Sequence, residues 1–195
     1  MIRVPYGRFT LLSGFIALLI PWLCVFMGKL FKSKATLLRA IFLVFYLGVI
    51  LFLTICRIPA EEGKQINLQL FWSYKRFAQA DIRWQIYLNV FLFIPLGFLI
   101  PYSTRLQFVA TVLIGCLLSI SIEVVQYCLS IGLCEFDDVF NNTIGTLIGY
   151  GYYQLISLLE YKKKDIIDRH IDIVRTKLNE YNETMKKLAE RIRGK

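Results

Sequence analysis

The sequence predicts an all-α integral membrane protein, a compact bundle of five transmembrane helices with an interfacial or re-entrant outer loop. The 195 residues are 56% hydrophobic with a mean hydropathy of +0.55, whereas soluble domains are about 45–50% apolar. Five apolar segments approach or reach the ~20 residues that a helix needs to cross a bilayer. Most of the links between them are short, and the longest is a loop over residues 57–83.

The five predicted spans follow one another along residues 9–28, 37–56, 84–101, 107–129 and 138–158. The first is longer than the ~7–15 apolar residues of a cleavable signal, and no small-residue cleavage pattern follows it. We therefore expect it to stay in the membrane as the first helix.

The long loop is aromatic and apolar in patches, as in "INLQLFWSYKRFAQ" (66–79). Trp72, Tyr74 and Trp84 are residue types that favour the headgroup layer of a bilayer. We expect this loop to lie on the outer face as an interfacial or re-entrant segment.

The basic residues indicate the orientation. Lysine and arginine concentrate in residues 29–39 and again at 162–164, which five spans place on the same side. Short basic flanks favour the cytoplasm, so the amino terminus is predicted outside and the carboxyl terminus in the cytoplasm. The basic residues of loop 57–83 argue against this orientation. The net charge of +9 fits cytoplasmic flanks facing anionic lipid, and we expect no nucleic-acid partner.

The chain divides into a transmembrane domain, residues 1–160, and a basic heptad-patterned helix, residues 161–195. Apolar residues recur in this tail at alternating steps of 4 and 3. This apolar stripe consists of Ile167, Ile171, Val174, Leu178, Tyr181, Met185, Leu188 and Ile192. The pattern predicts either a coiled coil that joins copies of the chain or an amphipathic helix on the inner membrane surface.

Two of the predicted spans carry polar faces at helical spacing. The face on the fourth span consists of Cys116, Ser119, Glu123 and Gln126. The face on the fifth consists of Asp138, Asn142, Gly145, Gly149 and Tyr152. Glycines four residues apart allow helix backbones to approach closely in membranes, so the two faces are predicted to pack together.

A carboxylate such as Glu123 is costly within a bilayer unless it is paired, protonated or turned into the bundle. We predict an outer-leaflet polar pocket formed by Asn89, Glu123, Gln126, Asp137, Asp138 and Asn142. Arg57 and Arg83 are candidate cation partners, and the oxygen-rich donor set suits Mg²⁺ or Ca²⁺. The alternative is that the same side chains only fix helix packing through hydrogen bonds. Cys128 and Cys134 flank a loop and are the one cysteine pair placed to form a disulfide.

Three motifs carry a resemblance to a known family: "YLNVFLFIPLGFLIPY" (87–102), "SISIEVVQ" (119–126) and "FDDVFNNTIGTLIGY" (136–150). In order and spacing they resemble the VanZ-like family of bacterial membrane proteins. The resemblance assigns the family's polar positions to Asn89, Glu123, Gln126, Asp138 and Asn142. It assigns structural positions to Pro95, Gly97 and Gly145. Many members place an arginine shortly before the acidic pair, whereas this chain reads "IGLCEF" (131–136).

The resemblance implies a role in the bacterial cell envelope, of the kind linked to resistance against teicoplanin and related lipoglycopeptides. We expect non-catalytic binding of an envelope lipid or cell-wall precursor at the bacterial cell membrane. Two alternatives stay open. One is a metal-assisted hydrolase or transferase on a lipid-linked phosphate, with Glu123 as the base and Asp137 and Asp138 as metal ligands. The other is a lipid-carrier transporter in which Glu123 relays protons.

Overall fold

The structure is a computed structural model that describes residues 19–31, 34–55, 65–130 and 133–194. Its described elements are α1 (Leu19–Leu30), α2 (Ala35–Ile55), β1 (Gln65–Asn67), α3 (Trp72–Lys75), α4 (Ala80–Thr104), α5 (Phe108–Leu129), β2 (Leu133–Glu135) and α6 (Phe136–Arg193). The chain forms two compact units, Met1–Tyr153 and Gln154–Lys195.

The helices confirm an all-α membrane protein at the level of class. In the described part of the chain, three helices are long and apolar enough to cross a bilayer, namely α2, α4 and α5, and α1 is a shorter apolar helix. They correspond to the predicted spans at 37–56, 84–101 and 107–129. Residues 9–18 of the first predicted span lie outside the described residues. The fifth span stays a prediction, because amide and hydroxyl side chains such as Asn141, Asn142 and Thr146 dilute the apolar character of early α6.

Helix α4 is the most buried of these helices and supplies most of the core of the first unit. Its side chains at Phe93, Leu96, Phe98 and Leu99 are fully buried. The helix continues through Pro95, which is itself buried. One turn before this proline, the carbonyl of Leu92 accepts a hydrogen bond from the Tyr46 hydroxyl of α2 at 2.8 Å. The bond satisfies the buried Tyr46 hydroxyl of α2 inside an apolar core, where water is absent.

Helices α2 and α4 run in opposite directions. Besides the Tyr46 bond, the Arg39 guanidinium near the start of α2 lies 4.6 Å from the ring centroid of Tyr102, near the end of α4. Ser103 Oγ also donates to the Arg39 carbonyl at 3.1 Å. The end of α2 therefore lies at the same end of the bundle as the start of α4.

Helices α4 and α6 run in the same direction and touch backbone to backbone. A Cβ added to Gly145 would collide with the Val90 carbonyl, and one added to Gly149 would collide with the Ile94 carbonyl. Gly97 lies equally close to the backbone of Thr146. These contacts need glycine, because any side chain would push the two backbones apart.

A short strap over residues 65–79 links two distant parts of the first unit. Strand β1 pairs in parallel with β2, with Gln65 opposite Leu133 and Asn67 opposite Glu135. The sequence analysis did not foresee this pairing. The strap exposes apolar side chains, including Leu68 and Phe71, and its interfacial location remains a prediction. Cys128 and Cys134 are free thiols.

The second unit is the part of α6 from Gln154 onward together with the residues that follow it. Every residue of the apolar stripe is exposed, from 45% for Met185 to 69% for Ile192. The stripe therefore has no cover from within its own unit.

Candidate functional site: a buried polar cluster

Polar side chains from three helices and one strand gather at one end of the first unit. The predicted pocket residues Asn89, Glu123, Gln126, Asp137, Asp138 and Asn142 are all buried, with exposed fractions of 2–6%. The structure adds Gln85, Glu135 and Asn141, and we call the nine residues together the polar cluster. They come from the start of α4, the end of α5, β2 and the start of α6.

Asn142 on α6 meets the polar face of α5. Its Nδ2 donates to Ser119 Oγ at 2.8 Å, and Glu123 follows Ser119 one turn later on the same face. Gly115, one turn earlier, lies against the Thr146 side chain. Helices α5 and α6 therefore run antiparallel, with Asn142 level with Ser119 and Glu123 one turn further along α5. This is the juxtaposition that the two polar faces predicted.

The carboxylate of Glu123 is tied to β2. Its Oε2 accepts the backbone N–H of Glu135 at 2.9 Å. Burial, and after it the charges of Glu123, Asp138 and Glu135, raise the pKa of the neighbouring Cys134 thiol above its usual value. The turn between α5 and α6 thus gathers negative charge around one half-buried thiol.

Gln85 connects this acidic group to α4. Its Nε2 lies 3.4 Å from Glu135 Oε2 and 3.4 Å from Asp138 Oδ2. Neither Gln85 nor Glu135 was among the predicted site residues. A signal for Gln85 was present, since it lies four residues before Asn89 and so shares its helix face.

Asp137 holds the strap in place. Its Oδ1 accepts the backbone N–H of Phe71 and its Oδ2 that of Ser73, each at 2.7 Å. Because α6 already begins at Phe136, Asp137 lies inside its first turn, and the hydrogen bonds recorded for its carboxylate go to the strap.

A second contact of the strap involves Tyr74. Its hydroxyl donates to Asn141 Oδ1, and Phe71 packs edge-to-face on both Tyr74 and Phe140. Burial, and after it the charge of Asp137, raises the pKa of the Tyr74 phenol. Tyr74 therefore remains a neutral donor over the ordinary pH range, and the strap covers the polar cluster at the start of α6.

Gln126 extends the polar cluster to α2, because its Nε2 donates to the Thr54 carbonyl at 2.9 Å near the end of that helix. Thr54 is itself buried. The bond satisfies a carbonyl in the last turn of α2, a position that lacks an intrahelical partner.

Three buried carboxamide atoms have no hydrogen-bond partner within the described residues: Asn89 Nδ2, Asn141 Nδ2 and Asn142 Oδ1. Asn89 lies one turn before Phe93 on the face of α4 that meets Gly145, and Asn142 lies one turn before Gly145 on α6. The two amides therefore belong to the same level of the α4–α6 contact. Unpaired buried polar groups are rare in folded proteins, and each costs about 1–3 kcal/mol.

The two candidate cations, Arg57 and Arg83, stay predictions. Arg57 lies outside the described residues. The guanidinium carbon of Arg83 lies 5.8 Å from the ring centroid of Phe77, so its recorded contact is aromatic. As for metal ions, no group of three or more His, Cys, Asp or Glu side chains in the described ranges is arranged to hold one.

Comparison with known proteins now identifies the family. The family model described as VanZ/LLP1 matches residues 42–157. The chain belongs to the VanZ/LLP1 family. It is similar to "Protein VanZ" from Enterococcus faecium, with 28% identity over 152 residues that cover 76% of this chain and 88% of the relative. No solved structure matches the chain. The matched region contains every residue of the polar cluster, so the VanZ-like part of this protein is the part that holds it.

Proposed function

We propose that this protein binds the polar headgroup of an envelope lipid or cell-wall precursor within the polar cluster. Through this binding it would confer resistance to teicoplanin-type lipoglycopeptides or maintain the cell envelope. The main support is the set of unpaired, fully buried amide atoms of Asn89, Asn141 and Asn142. Two donors and one acceptor left open beside several carboxylates suit a guest that is rich in hydroxyl or amide groups, since such a guest can pair with both kinds of group.

Apolar surroundings favour this proposal over a site for a freely soluble ligand. Helices α2 and α5 are largely exposed in the isolated chain, at Phe45, Phe52, Leu113 and Leu117 among others, and such surfaces suit acyl chains. A lipid can keep its tail along these helices while its headgroup reaches the buried amides. Entry of a headgroup on the side of α3 requires the strap to move, because Asp137 and Asn141 bond the strap there.

The proposal places the polar cluster at the outer leaflet. Arg39 and Arg105 lie toward the opposite end of the bundle, at the start of α2 and just after α4. Basic residues favour the cytoplasmic side, which supports an outer location for the polar cluster, an outside amino terminus and a cytoplasmic carboxyl terminus. Single cysteines placed in the strap and after α4, probed in intact cells with an impermeant thiol reagent, test this. Labelling only after Arg105 would reverse the orientation.

The binding proposal is tested by a protection assay in cells that express the protein. Asn142→Ala and Asn89→Ala should lower protection against a lipoglycopeptide, because each removes an open amide. Asn179→Ala, an exposed asparagine of the tail, is the matched control and should leave protection unchanged. Membrane abundance and melting temperature are measured for each variant, so that a misfolded variant is recognised.

A direct measurement separates binding from packing. The full-length protein is purified in mild detergent, and co-purifying lipids are quantified by mass spectrometry for the unmodified chain and for Asn142→Ala. The proposal expects an enriched lipid species that is lost in the variant while the melting temperature is retained. Equal lipid content in both proteins, together with a lowered melting temperature in the variant, would show that the polar cluster only fixes helix packing.

A further inference from the structure

We propose that the tail, residues 161–195, docks on an anionic lipid bilayer with its apolar stripe toward the acyl chains. The inference is independent of the polar cluster, which lies in the other unit. It starts from an uncovered surface, since each residue of the stripe is at least 45% exposed. An amphipathic helix with such a face is stable only when something outside its own unit covers that face.

The width of the apolar face favours a bilayer over a second helix. Ile166 and Ile173 are 56% and 55% exposed, and neither belongs to the heptad positions of the stripe. Both extend the apolar face on the side of His170. A two-stranded coiled coil buries a narrow seam and would leave these two isoleucines in water, whereas a flat interface covers them.

The charges beside the stripe point the same way. Lys163, Arg175, Lys177 and Arg191 occupy heptad positions that directly flank it, and Asp168 is the one acidic residue there. In a coiled coil these positions face the partner helix. Two copies would pair Lys163 with Asp168 but would bring His170 toward Arg175 and Lys177 toward Asn182, so only the first of these contacts joins opposite charges. At a bilayer surface the same cations extend into the headgroup layer while their methylene stems stay apolar.

The far side of the tail carries most of the acids. Of the six acidic residues after Tyr161, four lie at heptad positions opposite the stripe, namely Asp165, Asp172, Glu183 and Glu190. Asp168 flanks the stripe, and Glu180 lies one heptad beyond Ile173. On the far side, Asp165 is paired with Arg169 at 2.6 Å. In the described part of the tail no ion pair involves Arg175 or Lys177. The cations that flank the apolar face are therefore available to lipid phosphates, and most of the acids point away from them.

The first test locates the tail in the full-length protein. Single cysteines at Leu178 and at Glu183, on opposite faces, are introduced into a variant whose native cysteines are replaced by serine or alanine. Each is spin-labelled in nanodiscs of phosphatidylcholine with phosphatidylglycerol. We expect the label at 178 to be more accessible to oxygen and the label at 183 to a water-soluble nickel complex. Equal access to nickel at both sites would overturn the proposal, and so would spin–spin broadening at 178, which indicates a second copy.

The second test needs no cysteine replacement. Hydrogen exchange of the unmodified chain is compared in anionic and in purely zwitterionic nanodiscs. We expect amides of residues 166–192 to exchange about tenfold more slowly in the anionic discs and to lose this protection at high salt. Equal protection in both discs would refute docking on anionic lipid. Helix α6 is continuous through residues 162–164 in the isolated chain, so docking requires the helix to break there at the bilayer. Slow exchange that continues unbroken through these residues in anionic discs would overturn the proposal.

Charge variants complete the test. A cation near an anionic surface strengthens association by about fivefold, so Arg175→Gln with Lys177→Gln should lower the ratio of docked to undocked tail by roughly twenty-five-fold. Asp172→Asn with Glu183→Gln changes two charges on the far face and is the matched control, expected to leave docking equal or stronger. Equal weakening by both pairs would indicate a structural effect and overturn the proposal.

Discussion

The two units of this protein treat polar and apolar side chains in opposite ways. In the first unit, Glu123, Asp137 and Asn142 are almost completely buried, and backbone and side-chain groups from other elements hold them. In the second unit, Leu178, Ile192 and their neighbours on the apolar stripe stand open. A buried polar group needs a partner inside the fold, and an exposed apolar face needs one outside it. The comparison agrees with the two proposals, which place a ligand inside the first unit and a bilayer against the tail.

Substitution at Gly149 is expected to have the largest effect. A Cβ there would collide with the Ile94 carbonyl and lie close to the Gly97 backbone. The backbones of α4 and α6 can make room for it only by moving apart. Gly149→Ala should therefore destabilise the first unit by about 3 kcal/mol, read as a lower melting temperature in detergent. Gly151→Ala, two residues further along the same helix, has open space within 4 Å and should melt like the unmodified protein. Similar losses in both variants would mean that helix flexibility, and not the close contact, requires the glycine.

The next effect concerns the strap. Asp137→Asn replaces one carboxylate oxygen by a donor that faces the amide of Phe71 or Ser73, so one backbone N–H loses its acceptor. We expect a loss of about 2 kcal/mol and faster hydrogen exchange at residues 71–75. Asp172→Asn in the exposed tail is the matched control, with an expected change within about 0.5 kcal/mol. Unchanged exchange in the strap would show that the aromatic contacts of Phe71 hold it without Asp137.

The contact between α5 and α6 and the contacts of the strap show which features the sequence could predict and which it could not. Helical spacing predicted that Ser119, Glu123 and Gln126 share one face of α5 and that Asn142 shares a face with Gly145 on α6, and the structure has Asn142 bonded to Ser119. Such predictions depend on local periodicity, which the sequence displays directly. The hydrogen bond from the Phe71 N–H to Asp137 joins residues 66 positions apart in the sequence. The pairing of β1 with β2 joins segments with a similar separation. Nothing in local spacing encodes these contacts, so Glu135 and the role of the strap were missed. Gln85 was missed although its spacing from Asn89 signalled a shared helix face.

The unpaired amide atoms of the polar cluster could not be predicted from the sequence either. The sequence indicates that Asn89 and Asn142 are polar residues in apolar segments, but which of their atoms find a partner depends on side-chain packing between α4 and α6. Only the structure distinguishes Asn142 Nδ2, which is bonded to Ser119, from Asn142 Oδ1, which is not.

A smaller effect should appear in the reactivity of Cys134. Burial and the carboxylates of Glu123, Asp138 and Glu135 raise its thiol pKa, so less reactive thiolate is present at pH 8 than for an ordinary cysteine, and alkylation should keep accelerating as the pH rises beyond the usual thiol range. Glu123→Gln removes one negative charge and lowers this pKa. Alkylation at pH 8 should then speed up by about threefold, because a larger fraction of the thiol is ionised, as measured for the Cys134 peptide by mass spectrometry. Glu183→Gln is the control in the tail, and an unchanged rate in Glu123→Gln would mean that Glu123 carries no charge beside the thiol.

The smallest effect is expected where an apolar side chain is lost from the tail. Leu178→Ser removes an exposed side chain from a separate compact unit, so the melting temperature of the first unit in detergent should match that of the unmodified protein, with a change within about 0.5 kcal/mol. Leu96→Ser in the core of α4 is the matched contrast, because that leucine is fully buried and its replacement leaves both a cavity and an unpaired hydroxyl. If Leu178→Ser lowered the melting temperature in detergent, and did so more strongly at higher protein concentration, the stripe would already be covered by a second copy in the absence of a bilayer. In that case the tail would join two copies of the chain, and it would not serve as a membrane-binding helix.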